Sequence, residues 1–162
     1  TGKKILDIGC GPGRDLKYFS DHGFTVVGVD VVERFIELAK RIAPRARALK
    51  MDLRALDFPA NNFDGVWMKN SLIHIPKQDA APALRDIKKI LKAGGVLYLS
   101  VKLGAGEGMQ EDYQNPTRKR YTAFYDPGEI IDLLGSLDFT ITDFNLVKQN
   151  FTFINILAIN NK

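Results

Sequence analysis

The sequence has little with which to bind a metal or cross-link itself. Among its 162 residues are one cysteine, Cys10, one tryptophan and two histidines. A single thiol closes no internal disulfide, which points to a reducing, cytoplasmic setting. No His/Cys cluster is present, so no metal is expected. No apolar run approaches the roughly 20 residues of a membrane span, and no charged-then-apolar leader opens the sequence. No membrane partner is therefore expected. The P-loop pattern is missing, since no Gly-Lys-Ser/Thr follows the glycines near the start. No nucleic-acid-binding motif is found either. The net charge of +4 is mild. Its one basic cluster, Lys40, Arg41, Arg45, Arg47, Lys50 and Arg54, reads as a solvated helix end and loop, with attraction for phosphate as the alternative.

What is present reads as one globular domain over residues 1–162. Apolar residues make up 45% and charged residues 26%, a balance that supports a real core. Apolar runs alternate with helix-periodic segments. Strands are expected at Lys4–Ile8, Thr25–Val29, Arg47–Met51, Asp64–Met68 and Val96–Val101. Helices are expected at Arg14–His22, Glu33–Ala43, Asp79–Leu91 and Pro127–Leu137, with Gly94-Gly95 stopping the third. Two strands, Thr140–Val147 and Phe151–Ile159, close the chain with no helical pattern between them, so they form an antiparallel hairpin. The expected fold is α/β, a Rossmann-like three-layer sandwich. Its sheet has seven strands, mostly parallel, with strand seven antiparallel. Ligands of such sheets bind beyond the carboxyl ends of the strands.

The stretch LDIGCGPGRD places Gly9, Gly11 and Gly13 between strand one and helix one. Glycine permits a tight turn and close approach by a ligand, and the helix behind it offers free N–H groups. The dinucleotide pattern G-x-G-x-x-G fails, because Arg14 stands where the third glycine belongs. Asp7 adds negative charge beside the loop, which suits a ligand carrying positive charge. Asp30, at the end of strand two, lies about 20 residues on, the spacing at which an acid reaches ribose hydroxyls; a helix N-cap is its alternative. Asp52 closes strand three in KMDL, where it could accept from the amine of a base while Met51 and Leu53 pack on the ring.

In order, LDIGCGPGRD, VVGVD, KMDL, FDGVWMKNSLIHIP and ILKAGGVLYLSVK resemble the motifs of class I S-adenosylmethionine-dependent methyltransferases, over nearly the whole chain. The resemblance implies S-adenosyl-L-methionine as cofactor and S-adenosyl-L-homocysteine as product. Asp7 then lies near the cofactor's amino-acid end, and Gly9, Cys10, Gly11 and Gly13 form the loop against it. Asp30 meets the ribose, Val31 and Leu53 flank the adenine, and Asp52 meets its amine. Met68 and Lys69 correspond to positions whose backbone contacts the methionine portion. Members of the family usually have helices before strand one. Only three residues precede it in this sequence, so those N-terminal helices are expected to be missing.

Methyl transfer is an in-line displacement in which alignment does much of the catalysis, and a base is needed only if the acceptor loses a proton. The acceptor should meet the loops after strands four and five. His74, in the first loop, is a candidate base or orienting group, or else a helix-start residue. The stretch Leu103–Ala123 lacks clear periodicity and reads as a flexible flap. It ends in RKRYTAFYDP, where Arg120 and Tyr121 are further candidates on the acceptor side. The segment after strand four lacks an Asn/Asp-Pro-Pro-aromatic pattern, which argues against the nucleic-acid amino-methylating enzymes. A small molecule is the expected acceptor. A cofactor-binding protein without chemistry, and an RNA or protein methyltransferase, are the alternatives. The oligomeric state is not legible in the sequence.

Overall fold

In the computed structural model, which describes residues 2–112 and 115–162, one mixed sheet carries helices on both faces. The elements run β1 (Lys4–Ile8), α1 (Arg14–Asp21), β2 (Thr25–Asp30), α2 (Glu33–Ile42), β3 (Arg47–Lys50) and β4 (Phe63–Lys69). A short 3₁₀ turn, Leu72–His74, leads into α3 (Lys77–Ile90) and β5 (Leu91–Leu103). Then come β6 (Glu107–Asp112), β7 (Asn115–Tyr125), α4 (Pro127–Ser136), β8 (Phe139–Lys148) and β9 (Thr152–Asn160).

Strands β3-β2-β1-β4-β5 lie side by side and parallel. β9 inserts antiparallel between β5 and β8, matching Val96–Lys102 with Ile159–Phe153. Successive residues of a strand face opposite sides, and the core divides accordingly. Leu6, Val27 and Val29 pack with Leu84 and Ile87 of α3 and Ile130 and Leu134 of α4. Val26 and Ala48 pack on the other side, with Leu16 of α1 and Ile36 and Ala39 of α2.

The sheet has nine strands among the described residues, not seven. The two additional strands are β6 and β7, inside the stretch read as an irregular flap. They form an antiparallel hairpin that joins β5 at only two parallel positions, Lys102 with Phe124 and Leu103 with Tyr125. The sequence EGMQED of β6 has no alternation of apolar residues because one face of the strand is exposed and the other is at most half-buried. Its register comes from backbone pairing with β7. Residues 113 and 114 of the expected flap lie outside the described residues.

Gly94-Gly95 does not stop α3. The helix ends at Ile90, Leu91 is already extended, and the two glycines sit inside β5, where its register with β4 slips between Phe63 and Gly65. Among the described residues no helix is long and apolar enough to cross a membrane.

Helix α4 begins with a capping box. The Asp126 carboxylate accepts from the Gly128 N–H at 2.8 Å, and Glu129 accepts from the Asp126 N–H at 3.4 Å. Asp126→Ala should therefore lower stability by about 0.5–2 kcal/mol, read as a shift in the urea midpoint at unchanged slope. A midpoint equal to that of the parent protein would show that the box adds nothing.

Candidate active site at the carboxyl ends of the strands

Beyond Ile8 the chain turns sharply. The N–H groups of Gly9 and Cys10 both donate to the Val29 carbonyl, at 2.8 and 3.0 Å. Gly9 holds φ at 75°, and a Cβ there would stand 2.6 Å from Ser71 Cβ, so only glycine fits. Gly11 donates its N–H to Asp30 Oδ2 at 2.9 Å, and Val32 N–H donates to Asp30 Oδ1 at the same distance. Asp30 thus fixes the glycine loop and the start of α2 together. Each of its oxygens keeps lone-pair capacity for a further donor.

These groups border a cavity of about 400 Å³. Of the sequence-predicted residues, the cavity brings together Gly9, Gly11, Asp30, Val31, Leu53, His74 and Arg120. Asp7, Cys10 and Met68 are buried in the fold and do not line it. Gly13 caps α1 with its Cα against α2. Met68 and Lys69 are the last two residues of β4, and the Lys69 ammonium stands 3.8 Å from Asp15. The Tyr121 hydroxyl bonds to Glu107, which raises the phenol to about 12.

Asp52 departs from its expected place. β3 ends at Lys50, so Asp52 lies two residues past the strand. Its carboxylate takes Arg54 Nη2 at 2.6 Å and Nε at 3.0 Å, which holds it below the usual carboxylate range. Arg54 also reaches Asp79 of α3 at 3.6 Å. A bidentate guanidinium outcompetes solvent for that carboxylate, whereas Met51 and Leu53 on either side do line the cavity.

Asp7 is 3% exposed, and its Oδ2 has no hydrogen-bond partner among the described residues. Burial, then the charges of Asp15 and Asp30, push its carboxyl up to about 8, against the pull of Lys69. At neutral pH it is therefore mostly protonated.

His74 is held by its Nδ1, 2.8 Å from the Tyr121 carbonyl. A carbonyl only accepts, so Nδ1 carries the proton and Nε2 the lone pair. Burial lowers the imidazole pKa, the bond to Tyr121 opposes this, Arg120 and Lys102 lower it further, and Asp112 raises it. The ring is neutral at pH 7.

A second cavity of about 250 Å³ lies under the β6–β7 hairpin, and Asn70, His74 and Arg120 line both spaces. Sequence reasoning passed over Asn70 as a site residue, yet it sits at φ 58° and accepts from Ser100 Oγ at 3.1 Å. An asparagine just past a strand is the one available signal, because Asn tolerates the left-handed region. Phe35, inside the expected helix Glu33–Ala43, and Lys102, at the end of the motif ILKAGGVLYLSVK, were not singled out as site residues; they line the first and second cavity respectively.

Residues 5–95 match a family described as a methyltransferase domain. This chain belongs to the class I S-adenosylmethionine-dependent methyltransferases. Among the relatives of this methyltransferase-family chain is the S-adenosyl-L-methionine-dependent Diels-Alderase iccD of Talaromyces variabilis. It is 33% identical over an alignment of 124 residues that covers 72% of this chain and 41% of that protein. The 2-methyl-6-phytyl-1,4-hydroquinone methyltransferase of Synechocystis is 31% identical over 103 residues, 61% of this chain and 32% of that one. The chain thus spans about a third to two fifths of the length of these relatives.

A solved S-adenosylmethionine-dependent methyltransferase from Methanosarcina mazei shares the fold, with a TM-score of 0.89 at 21% identity over 98% of this chain and 92% of its own. The 1,6-didemethyltoxoflavin-N1-methyltransferase of Burkholderia thailandensis was solved with its substrate and S-adenosylhomocysteine. It aligns with a TM-score of 0.80 at 27% identity, over 99% of this chain and 72% of its own.

Proposed function

We propose that this chain, acting as a single domain over residues 1–162, binds S-adenosylmethionine in the larger cavity and methylates a small-molecule acceptor held in the smaller one. The observation that carries this reading is the common wall of Asn70, His74 and Arg120 between a glycine-floored cavity and a polar one. Two spaces that meet at one wall let a donor and an acceptor react in line.

The residues present fit the cofactor. Gly11 has nothing within 4 Å of where its Cβ would be, so its backbone is open to a ligand. Asp30 retains acceptor capacity for ribose hydroxyls, while Val31, Met51 and Leu53 offer apolar surface to a base. The backbone of Cys10, Gly13, Met68 and Lys69 supports the loop and the strand end behind it. Asp7 stands buried behind the loop and mostly protonated, and a cation bound nearby would draw it toward its ionised form. This reading gives the adenine ring to Met51 and Leu53 and leaves the Asp52 carboxylate with Arg54. When bound, the cofactor supplies an electrophilic methyl group on a sulfonium. The protein's part is to align the acceptor with it and exclude water.

The test is Asp30→Ala. S-adenosylhomocysteine affinity should fall by about 1.5–3 kcal/mol, the range for hydrogen bonds to a charged group, as read by calorimetry on a variant with a folded circular dichroism spectrum. Undiminished affinity would remove Asp30 from the site. A second reading is favoured by the Diels-Alderase relative: the domain holds the cofactor without consuming it. Formation of S-adenosylhomocysteine in step with a methylated product would exclude that reading.

A further inference from the structure

We infer that the cavity beneath the β6–β7 hairpin is the acceptor subsite, built for a small aromatic molecule with a carboxylate that pairs with Lys102 and an O–H or N–H that faces His74 Nε2. This rests on the methyl-transfer reading above and gives it a substrate class.

The cavity's volume of about 250 Å³ is suited to a single ring, and Phe151 and Phe153 line it. Its charged groups are Lys102, Arg120, Glu111 and Asp112. Two of them are paired with each other, Arg120 Nη2 standing 3.0 Å from Asp112 Oδ2. Glu111 is exposed on β6, opposite Lys119 of β7. Lys102 is different. It is half-buried on β5, its Nζ lies 3.9 Å from the centroid of the Phe151 ring, and no described carboxylate lies within ion-pair distance.

Burial and the neighbouring Arg120 disfavour the Lys102 ammonium, with Asp112 opposing them. An anion entering the cavity relieves that cost, so the ammonium is a ready partner for a carboxylate.

The other end of the acceptor is set by His74. Its Nδ1 is committed to the Tyr121 carbonyl, and no described donor lies on Nε2. A neutral imidazole with a free lone pair at the junction of the two cavities accepts a proton. The step balances as follows. The acceptor's oxygen or nitrogen lone pair forms the new bond to the methyl carbon. The carbon–sulfur bond breaks and its electron pair stays on sulfur, turning the sulfonium into a neutral thioether. The acceptor's proton passes to Nε2 and from the imidazolium to solvent.

The test begins with protein saturated with S-adenosylhomocysteine, titrated in a calorimeter with the three hydroxybenzoate isomers and with phenol. At least one isomer should bind about tenfold or more tightly than phenol. Lys102→Met should remove that preference and Lys102→Arg should restore most of it. S-adenosylhomocysteine affinity should stay within about twofold throughout, because Lys102 does not line the larger cavity. Equal binding of phenol, no binding of any isomer, or a preference that survives Lys102→Met overturns the subsite.

The proton acceptor is read separately by nitrogen NMR of the imidazoles, with His22→Gln to leave His74 alone. At pH 7 Nε2 should be unprotonated and should shift on adding the preferred hydroxybenzoate. It should shift far less with benzoate, which lacks the hydroxyl. An Nε2–H tautomer, or equal shifts, overturns the base role. Failure to bind S-adenosylhomocysteine at all would be a different result, since it removes the cofactor reading on which this subsite rests.

Discussion

The ligand-free protein should lose stability as pH rises from about 4 to 8, and Asp7→Asn should flatten most of that slope. The sign follows from the proton balance. Asp7 ionises near pH 3.9 in an unfolded chain and near 8 in the folded one. Between those values the folded state holds a proton that the unfolded state has released, so each pH unit costs up to about 1.4 kcal/mol. The stabilisation is fully present below about pH 4 and is gone above about 8. Asp21, Asp52, Asp64 and Glu107 have lowered pKa values and act with the opposite sign, at the acid end. His74, also lowered, opposes Asp7 below pH 6.5. Comparison of the parent with Asp7→Asn cancels these contributions. The measurement is urea unfolding at several pH values, and parallel curves for the two proteins would refute the assignment. The slope decides, because a buried amide brings its own unsatisfied donors.

The second large effect is expected at Gly13. Its φ is 92°, and a Cβ there would stand 2.8 Å from Ala39 Cα and 3.0 Å from Ala39 Cβ. A left-handed residue with a side chain costs about 1–2 kcal/mol, and overpacking against fixed backbone adds about 1–3 kcal/mol. Gly13→Ala should therefore destabilise the protein by about 2–5 kcal/mol. At about 2–4 °C per kcal/mol for a domain of this size, the melting temperature should drop by roughly 4–20 °C. A shift of less than about 1 °C would mean that α2 moves aside freely. Gly11→Ala is the control, since open space lies beyond that position and only the backbone cost at φ 52° applies.

The parts of the candidate cavity that were legible in the sequence are local ones. Gly9, Gly11 and Asp30 could be read because one tight turn and one strand end set their geometry, and the bond from Gly11 to Asp30 spans only 19 positions. Asp52 misled because strand ends are set by pairing. β2 offers β3 partners only as far as Lys50, and the next carboxylate was free to fold back on Arg54. The β6–β7 hairpin was illegible because burial does not pattern β6. The common wall of the two cavities was beyond reach for a different reason. His74 and Arg120 come from segments that meet only through the hairpin's docking over the 3₁₀ turn, and no short-range signal encodes that.

The position of β9 has a consequence for how the molecule is made. Synthesis runs from the amino end, so β5 and β8 leave the ribosome before the strand that joins them. Until β9 emerges, β5 presents a bare edge from Val96 to Lys102, and β8 has no other partner strand among the described residues. An unpaired edge beside an apolar core is where nascent chains associate wrongly. The chain therefore completes its sheet only once residues 152–160 have emerged, and the interval before then is the one in which a chaperone would matter most.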